Sequence, residues 1–270
     1  MNETPKVLEL AVEMALDAGR IQRERYETEI RIESKSAKID LVTEVDQECE
    51  ARIIRRIQEE RPDDAIVAEE GGGVDREGAA WRWIIDPLDG TTNYAHGFPR
   101  FCVSIGVERE GEREVGVIYD PLLDELYRAS RGGGAWLGTR PLRVSQEDRL
   151  DHALVATGFA YDVHRSVDDN FANFGRLLKA ARAVRRDGSA ALDLCYVAAG
   201  RLDGYWEFKL HSWDVAAGIL MVDEAGGRTS DLAGGKAPRS GSEIVSTNGL
   251  LHEEVLAILG ETGHRPRGEK

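Results

Sequence analysis

Apolar residues near the start of the chain recur at steps of four and three: Val7, Ala11, Met14, Ala18 and Ile21. That spacing places them on one face and predicts a helix. Val45, Cys49, Ile53 and Ile57 predict a second helix, which stops before Pro62. The short apolar run Ala65-Ile66-Val67-Ala68 suits a strand ending at Glu69-Glu70. A glycine-rich loop follows, and Trp81 to Ile85 predicts another strand that ends at Asp86-Pro87.

From Phe101 to about Val144 the pattern becomes strand-like. Cys102 to Val107, Glu114 to Tyr119 and Glu125 to Ala129 are separated by Glu110-Gly111, Asp120-Pro121 and a glycine triplet, which reads as an antiparallel meander. After about residue 150, strands alternate with helices. Strands are expected at 154–157, 183–186, 205–208 and 244–247, and helices near 166–180, at 189–199, at 213–225 and from 250. Such alternation suggests α/β layering. A boundary near residue 145 therefore divides an N-terminal domain, 1–145, from a C-terminal one, 146–270. The last ten residues read as a frayed tail.

Composition narrows the classes of function. With 270 residues the chain is long enough for a substantial core. Its net charge of -14 opposes binding to a nucleic-acid backbone, and no Lys/Arg run forms a basic face. An anionic substrate would need a positive mediator, which is a first hint of a metal. Cys49, Cys102 and Cys195 have no CxxC spacing, so a zinc site or disulfide framework is not expected, and a reducing cytoplasm suits them. The N-terminus lacks the pattern of a signal peptide, and the longest apolar run, Ala216 to Val222, is too short to span a bilayer.

Three acidic features stand at the ends of expected elements: Glu69-Glu70, Asp86 with Asp89, and Asp214 after Ser212-Trp213. Carboxylates on turns held by a rigid sheet are well placed to converge. Pro87 restrains Asp86 to an extended conformation, and Gly90 permits a tight turn. Asp86, the Leu88 carbonyl and Asp89 could then aim at one point, and all-oxygen ligands suit Mg²⁺. Each feature also has an ordinary explanation. Asp-Pro and Asp-Gly are turn formers. Glu69-Glu70 could be a solvated strand end, and Asp214 could merely stabilise a helix start.

The string Trp83-Ile84-Ile85-Asp86-Pro87-Leu88-Asp89-Gly90-Thr91-Thr92-Asn93-Tyr94 resembles a signature of the inositol monophosphatase family. Trp213-Asp214-Val215-Ala216-Ala217-Gly218, running on to Glu224-Ala225-Gly226-Gly227, resembles the second signature. Asp40-Leu41-Val42-Thr43 with Asp46, and Ala68-Glu69-Glu70, extend the match to nearly the whole chain.

The resemblance implies a layered αβαβα sandwich, with an α+β N-terminal half, an α/β C-terminal half and the site between them. It implies two to three Mg²⁺ ions. Glu69, Asp86 and the Leu88 carbonyl match ligands of the first ion; Asp86, Asp89 and Asp214 match those of the second; a third, weaker ion lies near Glu69. Thr91 with Asp46 matches the pair that activates the attacking water. Gly90 and Thr91 resemble phosphate donors, Gly188-Ser189-Ala190 the substrate loop, Glu207 the residue that bonds inositol hydroxyls, and Lys35 a basic residue near the site. Four of these also have plain readings: Thr91 as a cap on the turn or on a helix beginning there, Gly188-Ser189 as a helix N-terminus, Glu207 as a solvated strand end and Lys35 as a surface lysine. His96 and His211 are expected to be structural or to support the site from behind, because the family's ligands are oxygens.

The implied activity is Mg²⁺-dependent hydrolysis of myo-inositol 1-phosphate or similar small phosphate monoesters by a cytoplasmic, lithium-sensitive homodimer. Fructose-1,6-bisphosphatase, histidinol-phosphatase and 3′-phosphoadenosine nucleotidase activities are the rivals within the class. A non-catalytic partner in a transcription complex is the rival outside it. Asp187 and Phe208-Lys209-Leu210 lie where the family varies, which leaves the substrate open.

Overall fold

The apolar faces read from the sequence are the ones the chain buries. The computed structural model describes residues 3–35 and 39–260. Helix α1 (Thr4–Arg25) has a proline in its first turn and buries Val7, Ala11, Met14 and Ala18. Strands β1 (Ile32–Ser34) and β2 (Leu41–Thr43) form an antiparallel ribbon. Thr43 then caps α2 (Glu44–Glu60). Its hydroxyl accepts from the Val45 and Asp46 amides, and Asp46 reaches back to the Thr43 amide. This reciprocal cap satisfies donors that a helix start leaves free.

A seven-stranded sheet follows, built from β3 (Ala65–Ala68), β4 (Trp81–Asp89), β5 (Cys102–Arg109), β6 (Glu112–Asp120), β7 (Glu125–Ser130), β8 (Gly134–Leu137) and β9 (Arg140–Pro141), in that order. Apart from the parallel β3–β4 pair, it is the expected meander. A short helix, α3 (Thr91–Ala95), interrupts it between β4 and β5. The second half runs β10 (Leu154–Thr157), α4 (Phe171–Ala180), β11 (Ala183–Arg185), α5 (Ala190–Ala198), β12 (Gly204–Phe208), α6 (Ser212–Glu224), β13 (Arg228–Ser230), β14 (Glu243–Thr247) and α7 (His252–Gly260). Its strands form a mixed five-stranded sheet in the order β11-β10-β12-β14-β13.

Two outcomes differ from expectation. Helix α4 begins at Phe171, so the residues from about 166 that were expected to be helical form an irregular segment. Strand β4 does not stop at Ile85; it continues through Pro87 to Asp89. The register shifts there, with Asp86 opposite Ser104 and Asp89 opposite Cys102. Proline lacks an amide donor and is tolerated in a strand at such a bulge. The expected frayed tail, 261–270, lies outside the described residues.

The layers follow from the cores. Helices α1 and α2 pack Val7, Met14, Ile53 and Ile57 onto Trp83, Ile85, Ile105 and Val117 on one face of the large sheet. Burial of side chains this large is worth about 1.5–3 kcal/mol each. Helices α5 and α6 fill the space between the two sheets, and α4 and α7 cover the far face of the small one. This is the αβαβα order. Helix α6 is apolar on nearly every side, as suits a helix enclosed between sheets. Its close approach depends on Gly106 and Gly116, which pair across β5 and β6. A Cβ on Gly106 would lie 2.7 Å from the Ala216 Cβ, and one on Gly116 would lie 2.7 Å from the Ala217 carbonyl oxygen. The bare patch seats the first turns of α6 against the sheet and brings Asp214 toward the end of β4.

Candidate active site

The bulge in β4 is the local origin of the site. Asp86 Oδ1 accepts from the Leu88 amide at 3.0 Å, which fixes the carboxylate over the bulge. Gly90 then turns the chain at φ +96°, and a Cβ there would lie 2.8 Å from the Arg100 carbonyl oxygen. The turn presents Thr91 at the start of α3. The Thr91 hydroxyl lies 2.9 Å from Asp46 Oδ1 and 3.0 Å from the Leu88 carbonyl. Asp46 is thus shared between the α2 cap and Thr91. Burial raises its carboxyl, partly offset by hydrogen bonds from Thr43 and Thr91.

Glu69 follows β3, which pairs with β4 and so carries it alongside Asp86. Lys35 Nζ reaches Glu69 Oε1 at 2.8 Å and Glu70 Oε1 at 2.5 Å. Burial opposes the Lys35 charge, but the two carboxylates outweigh it and hold the ammonium above its usual range. On the opposite side, Asp89 Oδ2 accepts from the Ser189 hydroxyl at 2.6 Å and the Ala191 amide at 2.8 Å. Asp214, in the first turn of α6, accepts from the His211 amide at 2.6 Å. Its helix-start role and its place in the cleft therefore coexist. His211 stacks on Trp213 with ring centroids 4.7 Å apart.

These groups line one cleft of about 480 Å³ between the two sheets. Lys35, Glu69, Asp86, Leu88, Asp89, Gly90, Thr91, Gly188, Ser189, Ala190, Glu207 and Asp214 all border it. Asp46 alone among the sequence-derived candidates stands behind the wall, reaching the cleft through Thr91. A separate depression of about 410 Å³ beside α1 and α2 is bordered by the ion-paired Glu13, Asp17, Arg52 and Arg56 and holds no comparable set.

The electrostatics are those of crowded acids. Burial, then neighbouring carboxylates led by Glu69, pushes Asp86 well above the ordinary range. Burial also raises Glu69 to about 7 despite Lys35, and Asp89 to about 6 despite its bond from Ser189. Glu207, enclosed and bonded by the Tyr205 hydroxyl, is pushed up to about 8, chiefly by burial. A hard cation would relieve this crowding, and the donors are all oxygens. The donor chemistry therefore fits Mg²⁺. Among the described residues, however, no three acidic, histidine or cysteine side chains stand together as a ready ion cage. Lys35, the Ser189 hydroxyl and the His211 amide each engage one oxygen, Glu69 Oε1, Asp89 Oδ2 and Asp214 Oδ2 respectively, and hold these carboxylates in place.

Sequence reasoning passed over the residues that join the two walls. Asn93 Nδ2 donates to the Arg100 and Asp187 carbonyls at 2.8 Å each, fastening the 187–188 turn to α3. Arg100 is buried, pairs with Asp193 at 2.9 Å and lies over the Tyr196 ring. Ser189 was legible as part of a loop, but not as the donor to Asp89. Apart from Asn93 with Arg100, these pairings join residues about a hundred positions apart and leave no local pattern. His96 ends α3 and does not border the cleft.

The fold and cleft together define a layered αβαβα protein with an acidic, oxygen-lined site between its sheets. Residues 3–264 match the model of the inositol monophosphatase family, and the chain belongs to that family. It is 45% identical to the inositol-1-monophosphatase of Synechocystis sp., over 94% of this chain and 89% of that protein. It is equally 45% identical to Nus factor SuhB of Pseudomonas aeruginosa, over 94% and 95% of the two chains. The solved inositol monophosphatase of Anabaena superposes with a TM-score of 0.87 at 40% identity, covering 96% of this chain and 97% of that one. Membership supports a phosphatase, and the family is generally metal-dependent. No helix among the described residues is long and apolar enough to cross a membrane.

Proposed function

We propose that this chain is a Mg²⁺-dependent phosphomonoesterase that hydrolyses myo-inositol 1-phosphate and similar small phosphate monoesters. The reading is carried by one observation: four carboxylates, the Leu88 carbonyl and the Asp46–Thr91 pair converge on a single cleft of a family member. Glu69, Asp86, the Leu88 carbonyl, Asp89 and Asp214 would hold two to three Mg²⁺ ions. When bound, such ions neutralise the phosphate and lower the pKa of water.

The chain's own residues supply the rest. With its proton donated to Asp46, the Thr91 oxygen has lone pairs free to accept from a water and orient it toward phosphorus. Burial makes Asp46 a better proton acceptor than a solvated aspartate. Attack forms a new P–O bond and breaks the ester P–O bond; the water gives up one proton and the leaving alkoxide takes one up, so the products are the alcohol and inorganic phosphate. Such transfer needs alignment and charge neutralisation more than covalent help. Backbone donors at Gly90 and Thr91 hold phosphate oxygens, and Gly188-Ser189-Ala190 borders the substrate. Glu207 accepts from a polyol hydroxyl, and Lys35 balances Glu69.

The domains 1–145 and 146–270 then contribute most of the metal ligands and the substrate loop with Asp214, respectively. A cytoplasmic, lithium-inhibited homodimer completes this reading.

Assay of the purified protein with inositol 1-phosphate, fructose 1,6-bisphosphate, histidinol phosphate and 3′-phosphoadenosine 5′-phosphate, with and without Mg²⁺, tests it. The expected result is Mg²⁺-dependent turnover with inositol 1-phosphate preferred. Preference for another ester replaces the substrate, and no turnover of any removes the reading.

A second reading has its own support, because relatives of equal identity are Nus factors. A transcription-complex role would survive loss of catalysis. If cells carrying only the Asp86→Asn protein grow normally, the partner role is the important one.

A further inference from the structure

Lys209 holds a backbone conformation that lysine rarely takes, with φ at +59°. In this left-handed region a Cβ crowds the backbone, so something else must keep the residue there. Its ammonium is heavily engaged. Nζ lies 2.9 and 2.8 Å from the two Asp162 carboxylate oxygens, 2.8 Å from Ser166 Oγ and 2.9 Å from the Asp168 carbonyl.

Every one of these acceptors belongs to the irregular segment between β10 and α4. The base of that segment is tied shut. Asn170 Nδ2 donates to Thr157 Oγ1 and to the Gly158 carbonyl, each at 2.9 Å, and Asn170 Oδ1 accepts from Trp206 Nε1 at 2.9 Å. Ends that meet across a compact surface loop make it an Ω-type excursion. Its first limb, from Gly158 to Val163, borders the acidic cleft. There it packs on Glu207: a Cβ at Gly158 would lie 2.1 Å from Glu207 Oε2. The excursion is thus closed at its base, pressed on Glu207 at its start and hooked at its far side by the residue two positions after Glu207.

We propose that Lys209 is a positioning residue that sets substrate selectivity. Its ammonium pins the 158–168 excursion as the wall that meets the alcohol portion of a phosphate ester, so that this wall is ordered before the ester arrives. A simple exposed ion pair would do little. This ammonium instead gathers a carboxylate, a hydroxyl and a backbone carbonyl from three residues of one loop, while the Lys209 amide, bonded to the Ser242 carbonyl at 2.5 Å, helps hold the left-handed backbone. The selectivity part of the proposal rests on the phosphomonoesterase reading; the pin does not.

Full-length Lys209→Gly and Lys209→Met proteins separate these parts. Glycine removes the amine but relaxes the backbone, so K209G retains its thermal midpoint, and a merely structural lysine would leave it behaving as the parent protein does. In both variants, amide hydrogen exchange over 158–168 is expected to speed up by about tenfold or more while β10 and β12 stay unchanged. With Mg²⁺, KM for inositol 1-phosphate is expected to rise by about tenfold with little change in kcat, because the wall must now be ordered on binding. KM for methyl phosphate, which has no ring to meet the wall, stays put. Lys209→Arg, which keeps the charge and donors, recovers part of the KM. Unchanged exchange and an unchanged KM ratio between the two esters, in a protein whose parent form is active, would overturn the proposal. If the parent protein hydrolyses neither ester, the phosphatase reading and the selectivity fall together, and the exchange data alone decide the pin.

Discussion

The two walls of the cleft are built by different means. On one, Asp46, Asp86, Asp89 and Thr91 sit on α2, β4 and the start of α3. Strand register, a bulge and a reciprocal helix cap fix each of them. On the other, Gly158 to Val163 and the 187–189 turn belong to irregular segments, held by Lys209, by Asn93 and by the Arg100 ion pair with Asp187 at 3.9 Å. On the proposed function, the groups assigned to the reaction are placed by regular elements of the fold. Those assigned to the alcohol portion of the ester are placed partly by side-chain ties, with Glu207 on β12 the exception. Under that reading, chemistry and choice draw largely on separate structural sources.

The sharpest attempt to break that comparison is Asp86→Asn. If the strand-borne wall carries the chemistry, kcat/KM falls by at least about a thousandfold. The metal-free protein keeps or raises its thermal midpoint, because asparagine cannot take on the charge that burial and Glu69 already oppose at Asp86. A variant that retained more than about a tenth of its turnover would move the chemistry to the other wall. Next in size is Thr91→Val, which keeps the volume and deletes the hydroxyl that meets Asp46. Here kcat is expected to drop by about a hundredfold with the Mg²⁺ requirement unchanged. A changed Mg²⁺ requirement instead would make Thr91 part of the ion site.

A pH series then compares the walls directly. Glu69 stays protonated to about 7 and Glu207 to about 8, against an ordinary 4.5. Across that window the folded chain binds more protons than the unfolded one, so stability falls as pH rises. Thermal midpoints without Mg²⁺ should decline from pH 4.5 toward 8. Added Mg²⁺ should restore the upper end through Glu69 and leave the share due to Glu207. A midpoint rising steadily with pH would contradict both shifts. The smallest effect belongs to Glu207→Gln, a change on the selecting wall. KM for inositol 1-phosphate should rise by about tenfold, with kcat on methyl phosphate nearly unaffected. Equal losses on both esters would assign Glu207 to the chemistry.

What was legible in the sequence follows the same division. The faces of α1 and α2, the meander and the α/β alternation all repeat with a clear period, and they appear where the period placed them. The candidate ligands were legible because Asp86 to Thr92 and Trp213 to Gly218 are contiguous strings. The ribbon of β1 and β2 was missed because β1 is wholly exposed and shows no apolar alternation. Pro87 reads locally as a turn, and the neighbouring β5 was needed to show that it sits in a bulge. The irregular stretch before Phe171 looked helical because nothing local reveals that Asn170 is drawn to Thr157 and Trp206. Lys35 was visible as a candidate, but its bridge to Glu70 as well as Glu69 required the fold.

Asp89 has a further consequence for how the chain reaches its final state. Its carboxylate is completed by Ser189 and Ala191, which lie 100 and 102 positions further along. Contacts this distant form late, since a long loop must close before they repay its entropy. Until then Asp89 stands beside Asp86 with no donor from the second half. Docking of α5 supplies those donors, but it also buries Asp89 and brings Asp214 alongside, and the balance leaves the carboxyl raised to about 6. The acidic site therefore resists the joining of the halves at neutral pH, and the apolar packing of α5 and α6 between the sheets has to outweigh it. A half-assembled chain has no complete cleft with which to bind an ester.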